Sequence, residues 1–236
     1  MITKREFCSR VDFARLTHNH SRADMAAACK TAVKYGFAAM CVNQSEVAFC
    51  KGQLKGSGVG VGTVVGYPLG ANTTATKVFE ALDAIGNGAD ELDVVMNVSR
   101  FNDGDTGYVL DELTQVVGSA KAEKPGVIVK VIIERYYITD ALLPTACGLV
   151  IASGADYVKQ ATGYAPADIP DGVADIKMIK AIVGGRIKIK SAFGCGETLK
   201  EFVQAIESGA DRVGTPIADV KLEQTDESFW KPGGFA

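Results

Sequence analysis

Short apolar runs rich in β-branched residues alternate with longer stretches of helical period along nearly the whole chain. The runs that predict strands are Val11–Leu16, Ala39–Val42, Val59–Val65, Glu91–Met96, Val127–Ile133, Tyr157–Lys159, Arg186–Ser191 and Arg212–Gly214. Most read as strands covered on both faces, the habit of parallel sheets. Helices are expected over Arg22–Tyr35, Thr74–Asn87, Leu110–Ala122, Asp140–Ser153, Asp168–Val183 and Thr198–Ser208. A repeated phrase marks the joints between them: Ile85-Gly-Asn-Gly-Ala-Asp90-Glu-Leu-Asp93, Ile151-Ala-Ser-Gly-Ala-Asp156-Tyr-Val-Lys159 and Ile206-Glu-Ser-Gly-Ala-Asp211-Arg-Val-Gly214, with Lys34-Tyr-Gly-Phe-Ala-Ala39-Met-Cys-Val as a looser copy. In each, a helix runs into a glycine able to take the left-handed conformation, and a strand follows at once. The close copies are 66 and 55 residues apart, so each interval holds about two strand-helix units.

Eight strands in strict alternation with helices predict an α/β protein: a (β/α)8 TIM barrel, one domain over residues 1–236, with 217–236 as a C-terminal tail. The rival is an open doubly wound sheet that binds a dinucleotide. Its glycine fingerprint should pass from the first strand into a helix, whereas Gly56-Ser-Gly-Val-Gly-Val-Gly62 runs into strand residues.

Composition narrows the function. The 236 residues carry 25 basic and 28 acidic side chains, a net charge of −3, which offers no cationic field for nucleic acid or an anionic membrane. At 47% apolar and 22% charged the chain is expected to fold around a packed core. The amino-terminal residues lack the apolar run of a secretory signal, and no stretch approaches the length of a membrane span. Six cysteines without a Cys-x-x-Cys pair predict free thiols in a reducing cytoplasm. The two histidines, His18 and His20, lack the partners of a metal site, so neither a metal nor another cofactor is expected.

Charges stand where a core should be. Asp12 lies in the first strand, Asp93 in the fourth, Lys130 and Glu134 in or near the fifth, Lys159 at the end of the sixth, and Lys188 and Lys190 in the seventh. Alternation puts Lys130, Ile132 and Glu134 on one face, and Lys188 with Lys190 on another. Buried charges need a partner or a task. A structural reading is open, in which the lysines reach the barrel rim or pair with Asp93 and Glu134.

The other reading is chemical. Lys159 and Lys190 end consecutive strands, at the barrel end where such folds place their chemistry. A lysine of ordinary pKa is neutral in only about 1 molecule in 2,500 at pH 7, and lowering that pKa to about 7 requires about 5 kcal/mol. A second ammonium about 5 Å away in an effective dielectric near 20 supplies about 3 kcal/mol, and burial supplies the remainder. One lysine so activated forms an imine with a carbonyl compound, and a carboxylate such as Asp93 moves protons beside it.

At this point four segments matter together: Val61-Gly-Thr-Val-Val-Gly-Tyr-Pro-Leu-Gly-Ala-Asn-Thr-Thr74, Asn87-Gly-Ala-Asp-Glu-Leu-Asp-Val-Val95, Val129-Lys-Val-Ile-Ile-Glu134 and Ala155-Asp-Tyr-Val-Lys-Gln-Ala-Thr-Gly163. In order and spacing they resemble the deoxyribose-phosphate aldolases, class I aldolases built on a (β/α)8 barrel, and the likeness runs from about residue 11 to 215. The resemblance implies that Lys159 forms the imine, Lys190 lowers its pKa and Asp93 handles protons. It implies that Asp12, Lys130, Thr162, Gly163, Gly194, Gly196, Gly214 and Thr215 face the substrate. It further implies reversible cleavage of 2-deoxyribose 5-phosphate into glyceraldehyde 3-phosphate and acetaldehyde, with small-molecule aldehydes and sugar phosphates as the partners and a homo-oligomer as a possible assembly.

Departures from that pattern cluster on one side. Lys190-Ser-Ala-Phe-Gly-Cys-Gly-Glu197 replaces a compact Ser-Gly-Gly segment, Pro216-Ile217 stands where a serine pair is usual, and Tyr164-Ala-Pro follows Gly163. Phosphate sites of barrels use backbone amides after strands seven and eight, so Pro216 removes a donor and Glu197 adds a like charge. Two alternatives therefore stand beside the leading reading: a lysine-dependent aldolase for a different aldol, unphosphorylated or oxidised, and a sugar-binding barrel without turnover. Cys41 at a strand end is read as packing, Tyr136 and Tyr137 as loop caps, and Trp230 as docking on the barrel or in a subunit contact.

Overall fold

Each apolar run forms a strand, most of them trimmed or shifted by a residue or two, and the helical stretches fall between them. The computed structural model describes residues 2–165, 172–192 and 198–231. In chain order the elements are α1 (Lys4–Cys8), β1 (Val11–Arg15), α2 (Arg22–Tyr35), β2 (Ala39–Val42), α3 (Val47–Gln53), β3 (Gly60–Val65), α4 (Thr74–Gly86), β4 (Glu91–Val95), α5 (Val98–Asn102), α6 (Thr106–Glu123), β5 (Ile128–Ile132), α7 (Leu143–Ala152), β6 (Tyr157–Lys159), α8 (Gly172–Val183), β7 (Lys188–Ala192), α9 (Leu199–Glu207), β8 (Arg212–Thr215) and α10 (Ala218–Glu223). All strands are parallel and close in sequence order, β8 pairing with β1, so the fold is the expected (β/α)8 barrel. The short helices α1, α3, α5 and α10 were not expected, because pieces of five to seven residues leave too little helical period to read. The start expected at Asp168 for the helix before β7 lies outside the described residues.

The repeated Gly-Ala-Asp phrase has a structural task. Gly88, Gly154 and Gly209 each take positive φ where a helix gives way to the next strand. The aspartate that follows reaches sideways: Asp90 accepts the backbone N–H of Val61 in β3, Asp156 that of Val129 in β5 and Asp211 that of Ile189 in β7, at 2.8–3.0 Å. Each repeat thus ties the start of an even-numbered strand to the strand before it, satisfying a backbone donor that the ladder leaves open.

Alternation along the strands divides the molecule. Val11, Phe13, Met40, Val42, Leu92, Val94, Val129, Val131, Val158, Ile189 and Val213 are buried in one continuous apolar core with residues of the surrounding helices. The residues between them, Asp12, Asp93, Lys130, Lys159 and Lys190, are buried too. They meet one another inside the barrel, a space that branched apolar side chains ordinarily fill. Because the outer layer already carries the hydrophobic core, the lumen can hold charge.

Trp230, from the expected tail, packs against Phe7 with ring centroids 5.6 Å apart and belongs to the core, so it docks on the barrel. No helix among the described residues is long and apolar enough to cross a membrane. A second buried ion pair braces the helices beside β4: Lys77 of α4 and Glu112 of α6, both inaccessible to solvent, meet at 2.9 Å. Lys77 Nζ also donates to the carbonyl of Val95, and Glu112 Oε2 accepts the N–H of Asn97, so the pair fixes the turn leaving β4. Lys77→Met, which strands an uncompensated carboxylate, should lower unfolding free energy by about 3–5 kcal/mol, and adding Glu112→Leu should recover most of that loss. Urea unfolding of the two variants checks this; equal losses would mean that the pair does not act as a unit.

Candidate active site

The sheet register sets the site. Lys159 of β6 lies directly across from Lys190 of β7, and Ile132 of β5 is its partner on the other side. Lys130, two residues back along β5, therefore lies one layer deeper, level with Asp93 of β4 and Tyr157 of β6. Gly214 of β8 makes room for the second lysine, since a Cβ there would lie 3.0 Å from Cε of Lys190.

These charges form one buried network. Asp93 Oδ2 is 2.7 Å from Nζ of both Lys159 and Lys190. The two amino nitrogens are thus no farther apart than twice that distance, close to the separation assumed from sequence. Lys190 also touches Asp12 at 2.6 Å. Beneath, Lys130 contacts Asp12 and Asp93, each at 3.1 Å, and Glu91. Arg212 pairs with Asp12 and, at 3.1 Å, with Glu91. Among the described residues four cations meet three carboxylates, and Lys159 has the fewest anionic contacts, Asp93 alone.

The surplus positive charge is least stable on Lys159. Burial pushes its pKa below the usual lysine value and Lys190 pushes the same way, against the pull of Asp93. For Lys190, burial acts downward as well, but Asp12 and Asp93 outweigh it and hold the pKa above the ordinary value. Lys130 is raised well above it by the same balance, with Asp12, Asp93 and Glu91 opposing burial. Asp12 and Asp93 lie below the usual carboxylate range, because neighbouring cations overcome the cost of burial. One lysine is eased toward the free amine while the others are held as ammonium ions. Cys41 is pushed up to about 11 by burial and remains a thiol, in keeping with a packing role.

Above the network opens a cavity of about 550 Å³. Of the residues singled out in the sequence, Lys159, Lys190, Asp12, Thr162, Gly163 and Gly214 line it. Asp93 and Lys130 are not among its lining residues but lie below it, buried to 0% and 1% exposure. Lys130, expected to face substrate, sits one layer deeper than the cavity floor and is held by three carboxylates. Thr215, expected there too, is not among the lining residues, and its buried hydroxyl accepts the N–H of Ile217. Gly194 and Gly196 lie outside the described residues. Lys188, on the face of Lys190 but at the other end of β7, is exposed, and its ammonium stands over the Tyr157 ring.

Three further participants went unassigned at the level of sequence. Arg212 opens β8 two residues before Gly214 and Glu91 precedes Asp93 by two, so the same alternation that singled out Asp93 reaches both. Tyr67, inside the Gly-Tyr-Pro-Leu-Gly segment, donates its hydroxyl to the carbonyl of Thr162 at 2.7 Å and lines the cavity. Glu134 was expected to share a face with Lys130. It instead follows the strand end in the left-handed region, φ 49°, and its carboxylate accepts from Thr162 N at 3.2 Å and from its hydroxyl. The loop that follows Lys159 is thus held from two sides.

Residues 7–218 match the model of the DeoC/LacD family aldolases. The chain belongs to that family. A deoxyribose-phosphate aldolase of Caldicellulosiruptor saccharolyticus is 41% identical over 91% of this chain and 96% of its own. Another, from Aciduliprofundum boonei, is 41% identical over 89% of this chain and 92% of its own. Among solved structures the tetrameric deoxyribose phosphate aldolase of Aeropyrum pernix superposes with a TM-score of 0.85 at 26% identity, covering 96% of this chain and 93% of that one. The likeness to these aldolases covers the barrel and most of the length of the chain.

The depressed carboxylates make this aldolase barrel acid-sensitive. Asp12 and Asp93 have native pKa values below their unfolded ones, so their stabilisation is complete above about pH 4 and disappears as pH falls through the native values. Unfolding free energy should decline on acidification below about pH 4, by up to about 1.4 kcal/mol per pH unit for each such carboxylate. Asp12→Asn should be less stable at neutral pH yet lose less on acidification; urea titrations at stepped pH giving the two proteins equal slopes would refute the assignment.

Proposed function

We propose that the chain is a class I aldolase, acting through a Schiff base without a metal, that reversibly cleaves 2-deoxyribose 5-phosphate into glyceraldehyde 3-phosphate and acetaldehyde. The observation that carries this is the shared oxygen: Asp93 Oδ2 touches both Lys159 and Lys190, and only Lys159 is shifted toward the free amine. The names of the relatives point to the same substrate.

The steps follow from the placement of the groups. Neutral Lys159 Nζ attacks the aldehyde carbon of the open-chain sugar, and the carbinolamine loses water to give a protonated imine. With the imine as electron sink, the hydroxyl on the third carbon passes its proton through water toward Asp93, the bond between the second and third carbons breaks, an aldehyde departs, and the same proton is available for the enamine. The enamine left on Lys159 takes a proton at its terminal carbon, and water releases acetaldehyde. A proton leaving Lys159 finds Asp93 Oδ2 at 2.7 Å with Lys190 on the far side of the same oxygen. Asp93, strongly ionised, acts as a bridge for that proton more than as a store. Lys190 stays charged and keeps the pKa of its neighbour low.

A reducing cytoplasm is part of this reading, supported by the free thiols of Cys8, Cys29, Cys41, Cys50 and Cys147. So is assembly into a homo-oligomer, supported by the tetrameric relative.

Acetaldehyde with borohydride should leave a two-carbon adduct on Lys159, found by peptide mass analysis and absent from Lys159→Met. An adduct elsewhere would overturn the assignment of Lys159, and none at all would favour a barrel that binds without turnover. Lys190→Leu should slow imine formation and move its apparent pKa upward by at least about one unit, equivalent to 1.4 kcal/mol. An unmoved pH profile would show that the second ammonium has no part in activation.

A further inference from the structure

We propose that Arg212, together with its partner Glu91, is a positioning residue for the aldol chemistry: from beneath the cavity it sets how readily Lys159 becomes the free amine. The inference rests on the aldolase reading and deepens it, by giving a task to two residues that do not line the cavity.

A guanidinium keeps its proton throughout the working range of a protein, whereas a lysine can surrender one. Among the described residues the network holds three carboxylates, Asp12, Glu91 and Asp93, and one permanent cation, Arg212. That leaves room for two ammonium ions before the buried cluster turns net positive, and three lysines compete for the two places. Lys130 and Lys190 fill them, each tied to Asp12 and Asp93, with Glu91 as a further partner of Lys130. Lys159, on one shared oxygen, is the lysine left to shed its proton. With a neutral side chain at position 212 the three lysines would match the three carboxylates, and Lys159 would keep it.

The sheet puts this charge within reach. Arg212 of β8 lies directly across from Lys190 of β7, which lies directly across from Lys159 of β6. The three cations thus form one row, whose ends are two strand spacings, about 10 Å, apart. Over that distance, in an effective dielectric near 20, one unit charge moves the pKa of another group by about one unit. Arg212 also holds Oδ1 of Asp12 while Lys130 and Lys190 share Oδ2, so that carboxylate has nothing to spare for Lys159. Glu91, at 3.1 Å, ties the guanidinium to β4 and keeps it under the lumen.

The other groups around Lys159 keep their identity whatever stands at 212. Asp93 of β4, Lys190 of β7 and the Cys41 thiol of β2 face it, as does Glu134 beyond the end of β5, and His18, Tyr67 and Tyr164 stand on the cavity walls. Arg212 itself faces Asp12 of β1, Glu91 of β4 and Tyr157 of β6.

The test follows formation of the acetaldehyde adduct on Lys159 across pH, with cyanoborohydride as the trap. Arg212→Met should move the apparent pKa of imine formation upward by about one unit, a tenfold loss of rate below that pKa. Glu91→Gln, which removes an anion, should move it downward. The double variant Arg212→Met with Glu91→Gln takes away one charge of each sign and should recover at least half of the rise. Arg212→Met is also expected to unfold at lower urea, because Asp12 and Glu91 lose a partner. Lost stability with an unmoved pH profile would make Arg212 a mere strut and overturn the proposal. Should Arg212→Met fail to fold, Glu91→Gln, whose amide oxygen still accepts from Arg212, decides alone: a downward shift supports the proposal and an unmoved profile overturns it. No adduct on Lys159 of the unaltered protein sinks the aldolase reading, while an adduct whose pH profile ignores residues 212 and 91 sinks this inference alone.

Discussion

The mismatch between four cations and three carboxylates inside the barrel is the constraint from which the remaining features follow. Arg212 and Lys130 are each tied to two or three acids, and Lys190 is wedged between Asp12 and Asp93. Only Lys159 hangs on a single oxygen that it must share. The excess proton is therefore least stable on Lys159, and this group with the smallest anionic support also opens onto the cavity. Activation here depends less on one neighbour than on how many partners each cation has been given.

Such a lumen is possible because the hydrophobic work is done elsewhere. Alternate residues of every strand face the helices and build the core, which leaves the inner positions free of any duty to exclude water. The Asp90, Asp156 and Asp211 ties fix the strands against one another at the far end, and the Lys77 and Glu112 pair braces the turn after β4. Register is thereby held where a slip of one residue would turn Asp93 out of the lumen.

Much of this was legible in the chain. The apolar runs, the Gly-Ala-Asp phrase and the strand-end lysines led to the barrel and to the Lys159, Lys190 and Asp93 cluster, since these signals are local and periodic. What escaped depends on depth and on distant contact. Lys130 and Thr215 carry the residue types of a binding site, yet one lies a layer below the cavity floor and the other turns its hydroxyl to its own loop; neither height along a barrel axis nor side-chain direction is written in a periodicity of two. Arg212 begins its strand like an ordinary surface residue and acquires meaning only when β8 closes onto β1. Glu134 seemed a strand residue until its backbone left the sheet to reach the loop of Thr162.

Depth has one more outcome. The Lys159 and Lys190 nitrogens touch their common oxygen at 2.7 Å on the cavity floor, with the residues only 3%, 1% and, for Asp93, 0% exposed. Dissolved ions cannot enter between them, and mobile counter-charge weakens chiefly those interactions that pass through solvent. The readiness of this amine to lose its proton is therefore set chiefly by the fold, and salt screens it much less than it would an exposed reactive lysine.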